Sequence, residues 1–212
     1  YLKNQLTYQG FFGQVEPAGI VKNFNLKNSY FCNDSDKKLA MLGSVAGEFR
    51  GKLENVYSNA IVECSGIQAG GIFGRTNDND DDGKEDKVVI TNSWFDGELR
   101  LSTDQGRYAG GIAGFFGGGN CESTITNSYN AGEVASDKGI DFYGALYGYV
   151  NNANGVTVKV TNCYYLTGAY AEVQDAVAVT EDELKSVNLG DSFGFCLEGS
   201  NPYYMYPQIL SN

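Results

Sequence analysis

The chain has 212 residues, enough for one elongated domain or two small ones, and 42% of them are apolar, which argues for a substantial core and against disorder. A net charge of −11, from 15 Lys+Arg against 26 Asp+Glu, repels phosphate backbones and disfavours nucleic acid as a partner. There is no histidine, so histidine-based triads, HExxH zinc sites and His-lined metal centres are excluded within this segment.

Glycine reaches 28 residues while proline stays at 3, a balance that points to many tight turns between short strands. No run of 18 apolar residues occurs, so nothing reads as a membrane span. No signal-peptide pattern opens the chain, and a start at Tyr1 rather than Met is what a processed product or an excised segment would show. The five cysteines, Cys32, Cys64, Cys121, Cys163 and Cys196, are odd in number and form no CxxC pair. That excludes a zinc ribbon and a fully paired disulfide framework; they read as small buried hydrophobes, with a single bridge still open.

In chain order, two blocks alternate. A glycine block recurs as Gln9-Gly-Phe-Phe-Gly13, Gly43-Ser-Val-Ala-Gly47, Gly70-Gly-Ile-Phe-Gly74, Gly110-Gly-Ile-Ala-Gly114 and Gly144-Ala-Leu-Tyr-Gly148. After each comes a block ending in asparagine: Val21-Lys-Asn23, Leu53-Glu-Asn55, Ile90-Thr-Asn92, Ile125-Thr-Asn127 and Val160-Thr-Asn162, at steps of 32, 37, 35 and 35 residues. In the first block Phe11, Val45, Ile72, Ile112 and Leu146 share one position and are expected to point inward from a short strand. The closing glycine permits a bend or a close approach of stacked backbones. In the second, an apolar residue followed by a polar one gives the period-two alternation of a half-buried strand. The asparagine then shares the inward face or sits at a corner, and five of them stacked would form an amide ladder.

One such unit cannot bury its own apolar face, whereas stacked units bury a continuous core. The expected fold is therefore all-β: a parallel β-helix, or β-solenoid, of about five coils over residues 1–172. Five coils at roughly 4.8 Å per parallel pairing give a stack of about 24 Å. An α-helical solenoid of the same period fails because the glycines would interrupt every helix. Val173–Asn212 is expected to form a small C-terminal cap containing a short helix, with Thr180 and Glu183 as its capping box.

These blocks resemble the GLUG motif family. The fourth unit fits best, with Gly110-Gly-Ile-Ala-Gly114, then Ile125-Thr-Asn-Ser-Tyr129, then Gly132-Glu-Val134. The third has Ile90-Thr-Asn-Ser-Trp94 and Gly97-Glu-Leu99, the fifth Val160-Thr-Asn-Cys-Tyr-Tyr165, and the first two are degenerate. The resemblance covers roughly Tyr8 to Gly168, and the close at Tyr206-Pro-Gln-Ile-Leu210 is similar to the ends of surface proteins that carry the motif. It implies a large bacterial surface or secreted protein, such as the non-catalytic part of IgA-specific metalloproteases or an adhesin. The implied location is extracellular or on the cell surface, with a host or cell-surface protein or glycan as partner. It assigns no chemistry to the motif.

Three sets of residues are candidate sites. Asn77–Asp86 contains Asp78-x-Asp80-x-Asp82-Gly83, with Asp86 at position nine: oxygen ligands spaced to wrap Ca2+, around a glycine bend. Position twelve, where a bidentate Glu belongs, is Val89, and the flanks look like strands, so the run also reads as an acidic, solvated insertion. Two residues after each asparagine come Tyr57, Trp94, Tyr129 and Tyr164, which would offer a sugar platform if exposed, or stack within the solenoid. Asp96 and Glu98 form a carboxylate pair, with no arginine cluster foreseen beside them among the four arginines Arg50, Arg75, Arg100 and Arg107. The expectation is a non-enzymatic repeat module serving adhesion or as a spacer, and alternatively a carbohydrate-binding or polysaccharide-active β-helix.

Overall fold

A computed structural model describes residues 2–3, 7–33, 40–77, 87–101, 108–136, 142–167, 175–194 and 206–209. The strands wind as a parallel β-solenoid with four faces. Face one stacks Leu2–Lys3, Tyr30–Asn33, Ile61–Cys64, Glu98–Leu101 and Glu133–Ser136. Face two stacks Tyr8–Gln9, Met41–Gly43, Gln68–Gly70, Tyr108–Gly110 and Phe142–Gly144. Face three stacks Gln14–Val15, Ala46–Phe49, Phe73–Thr76, Ala113–Phe116 and Tyr147–Val150. Face four, the longest, runs from Ile20–Leu26 through Lys52–Ser58 and two broken rungs to a third, Thr157–Thr161 with Tyr164–Leu166. Five rungs on each face correspond to about four full turns from first rung to last.

The repeat positions do the packing. Val45, Ile72, Ile112 and Leu146 are fully buried, and so are Ile90 and Ile125 on face four. Phe11, at the same repeat position, is 58% exposed. Its neighbours in sequence, Tyr8–Gln9 and Gln14–Val15, are edge strands, so the second rung covers the first from one side only. The Phe11 ring packs instead against Phe12 and Phe24, with centroids 5.0 and 5.1 Å away.

The asparagines sit at a corner of face four. Asn23, Asn55, Asn92, Asn127 and Asn162 all adopt the left-handed conformation, with φ between 48° and 55°. Asparagine tolerates that region better than other residues with a side chain. Each amide donates to the one in the rung before it: Asn55 to Asn23 at 2.9 Å, Asn92 to Asn55 at 3.1 Å, Asn127 to Asn92 at 3.3 Å and Asn162 to Asn127 at 2.9 Å. The corner interrupts the regular ladder, and a second column, buried Ser93 and Ser128, repairs it. Ser93 Oγ accepts from the Val56 backbone N–H and Ser128 Oγ from that of Ser93, both at 3.1 Å. Cys163 takes the same place in the fifth rung, and burial pushes its thiol up to about 11.

The closing glycines serve close approach. A Cβ on Gly47 would lie 2.2 Å from the Gln9 backbone N, and one on Gly114 2.6 Å from that of Ala69. Gly74 and Gly148 meet face two in the same way, so face three lies against the face-two backbone of the preceding rung. Gly13 is the exception, with its nearest neighbour at 3.5 Å, ordinary contact distance.

The tail does two things. Val177–Val179 adds a parallel strand beside Tyr164–Leu166. The helix Glu181–Leu184 follows, with the expected capping box between Thr180 and Glu183. The segment after it, through Phe193, packs along the side of face four, where Leu184, Leu189 and Phe193 join Tyr57, Trp94 and Tyr129 in a second buried cluster. The expected boundary between residues 172 and 173 lies outside the described residues. Cys32, Cys64, Cys121 and Cys163 are buried free thiols, while Cys196 also lies outside the described residues.

Candidate functional site

Asp78, Asp80, Asp82 and Asp86 all lie outside the described residues. Among the described residues no group of three or more His, Cys, Asp or Glu side chains is placed to hold a metal ion.

The aromatic column is brought together, and it is covered. Tyr57 and Trp94 stack at 4.8 Å and 21°, Trp94 and Tyr129 at 5.7 Å and 13°. Phe193 of the tail lies over the column, 5.7 Å from Trp94, and the Tyr129 hydroxyl donates to the Pro207 carbonyl at 2.8 Å. Tyr206 packs against the same cluster, and burial raises its pKa. Tyr57, Trp94 and Tyr129 therefore stack within the solenoid under the tail and are not available as an open sugar platform, while Tyr164 packs half-buried against the same cluster. A cavity of about 210 Å³ opens beside this seal, lined by Ser186–Gly190, Phe193, Gly194 and Pro207.

Glu98 meets a single arginine among the described residues. Arg100, two residues along the same strand, donates to both Glu98 carboxylate oxygens at 2.6 and 2.5 Å. That contact holds the Glu98 carboxyl below its ordinary range. Asp96 lies outside the strand. On the neighbouring rung Glu63 accepts from the Tyr30 hydroxyl of the rung beyond it at 2.8 Å, which raises the phenol pKa.

A different set of rings lies where faces two and three meet, with Phe142 exposed and Tyr108, Phe115 and Tyr149 half-buried. One column, on face two, reads Tyr8, Met41, Gln68, Tyr108, Phe142 from the first rung to the fifth. The matching column on face three reads Gln14, Glu48, Arg75, Phe115, Tyr149. In the lower rungs the seam is polar. Gln14 donates to Glu48 at 3.2 Å, and Arg75 donates to Glu48 at 2.7 Å and to the Tyr8 hydroxyl at 2.6 Å. The Arg75 guanidinium also stands 5.1 Å from the Tyr8 ring centre. In the upper rungs the seam is aromatic. Tyr108 stacks on Phe142 at 5.5 Å, and Phe115 on Tyr149 at 5.9 Å. Tyr108 approaches Phe115 at 5.2 Å, and Phe142 approaches Tyr149 at 4.9 Å across the seam. None of the four belongs to either buried cluster.

The sequence carries the signal for this patch. In the last two repeats an aromatic residue stands two before the glycine block's opening pair and another directly after its closing glycine: Tyr108 and Phe115, then Phe142 and Tyr149. Only the stacking shows that these positions converge. Comparison with family models, curated proteins and solved structures found no match. Among the described residues no helix is long and apolar enough to cross a membrane.

Proposed function

We propose that this chain is a non-enzymatic repeat module of a larger bacterial surface or secreted protein, related to GLUG-motif proteins and acting as a rigid spacer or adhesive segment. The asparagine ladder carries the reading: one side chain per rung is committed to holding the stack in register, as a rigid rod requires. Antibodies against the chain should label intact producing cells. Signal that appears only after permeabilisation would sink the surface location. Replacing the segment by an unrelated solenoid of equal rung number separates the two roles, because a spacer is restored and an adhesin is not.

The partly exposed rings of the face-two and face-three seam favour a second reading, carbohydrate binding. The acidic run carries a separate proposal, Ca2+ held by Asp78, Asp80, Asp82 and Asp86. A ligand that binds only the folded state raises the melting midpoint. Thermal melts in millimolar calcium and in chelator should therefore differ, and coincident melts would leave the run as a solvated insertion.

A further inference from the structure

We infer that the seam between faces two and three binds a neutral, unbranched glycan, with Tyr108, Phe115, Phe142 and Tyr149 as the stacking surface; this rests on the carbohydrate-binding reading. The rings occur as two parallel stacks, Tyr108 with Phe142 at 23° between planes and Phe115 with Tyr149 at 15°. They repeat with the rungs, with ring centres 5.5 and 5.9 Å apart, close to the length of one sugar residue in an extended chain. Phe142 keeps 36% of its surface exposed, in a chain that buries Phe49, Phe73, Phe95 and Phe116 completely. Aromatic surface left uncovered beside polar groups marks a recognition site, and the ring surface the two stacks leave open suits the C–H groups of a pyranose.

A second observation points to a ligand rich in hydroxyl donors. Gln68 precedes Tyr108 by one rung in the same column and is 5% exposed. Its Oε1 is buried with no hydrogen-bond partner. A buried acceptor left unpaired is costly, and a donor hydroxyl would relieve it. Charge selects among glycans. Arg75 is held by Glu48 and Arg50 by Glu16, within a chain of net charge −11. Nothing in that balance favours a uronate or a sulfate ester, so a neutral chain fits the seam and a polyanionic one is repelled.

The test screens the intact chain on an array of neutral β-glucan, mannan and galactan tetrasaccharides alongside tetragalacturonate. The best ligand is then titrated by calorimetry against variants. Phe142→Ala and Tyr149→Ala should each weaken binding by roughly tenfold, the worth of one good ring contact. Circular dichroism and the melting midpoint check that each variant is folded. Phe11→Ser, an exposed ring far along the stack, should bind as the parent does. Gln68→Leu should lower affinity without lowering the melting midpoint. No binding to any neutral glycan overturns both this site and the carbohydrate reading. Binding that survives Phe142→Ala and Tyr149→Ala overturns the site alone, and a preference for tetragalacturonate overturns the neutral assignment.

Discussion

Asn92 does two jobs that no other residue type combines. It holds a left-handed φ of 51°, and its amide donates to Asn55 while accepting from Asn127. Alanine there loses both bonds and strains the backbone, so Asn92→Ala should destabilise by about 2 kcal/mol or more in urea unfolding, and Asn92→Gly by less. Equal losses for the two would mean that backbone conformation contributes nothing at the corner. The closing glycines offer an internal control of another kind. Gly114→Ala must push its Cβ into the Ala69 backbone and should cost about 1–3 kcal/mol. Gly13→Ala meets only ordinary contact and should stay within about 0.5 kcal/mol of the parent. A comparable loss at both positions would contradict the close approach of faces two and three.

At the scale of elements, the tail acts as a strap over face four. Trp94 is the chain's single tryptophan and lies 3% exposed between Tyr57 and Tyr129 with Phe193 above it. Phe193→Ala should admit water and shift the emission to the red while the solenoid stays folded. An unchanged spectrum would mean the strap does not seal the column. Face one carries a pH-sensitive contact. Arg100 lowers the Glu98 carboxyl below its ordinary value of 4.5. A depressed folded pKa stabilises fully above the unfolded value, and the contribution is lost as pH falls through the lower folded value. The parent should therefore melt above Glu98→Gln at pH 7, and the gap should close toward pH 3. A gap that persists at pH 3 would assign the effect to packing.

At the scale of the molecule, the periodic part of the fold was legible in the sequence; of the aperiodic tail, the helix and its Thr180–Glu183 capping box were, and its course along face four was not. The inward places of Val45, Ile72, Ile112 and Leu146 follow from period-two alternation and recurrence, because every rung meets the same environment. Phe11 obeys the same pattern yet is exposed, because repetition encodes neighbours on both sides and an edge rung lacks one. The strap has no repeat to reveal it: Pro207 reaches Tyr129 across 78 residues. The seam rings have a sequence signal, but their convergence depends on how closely the glycines let two faces approach.

The side-chain amides at the corner all point one way, which gives the rod a direction. Asn162 closes the last rung on both sides: its carbonyl accepts from the Tyr164 hydroxyl at 3.0 Å, and its nitrogen also donates to the Asn188 carbonyl at 3.1 Å. Asn23, at the other end, accepts from Asn55 and has no earlier amide in the series to donate to. The two ends should thus fray unequally, with backbone amides of Ile20–Leu26 exchanging with deuterium faster than those of Thr157–Thr161. Equal protection would mean that the ladder holds register without setting an order of opening. If the asymmetry holds, the rod unzips from one end under heat or load, and the strapped end is the last to let go.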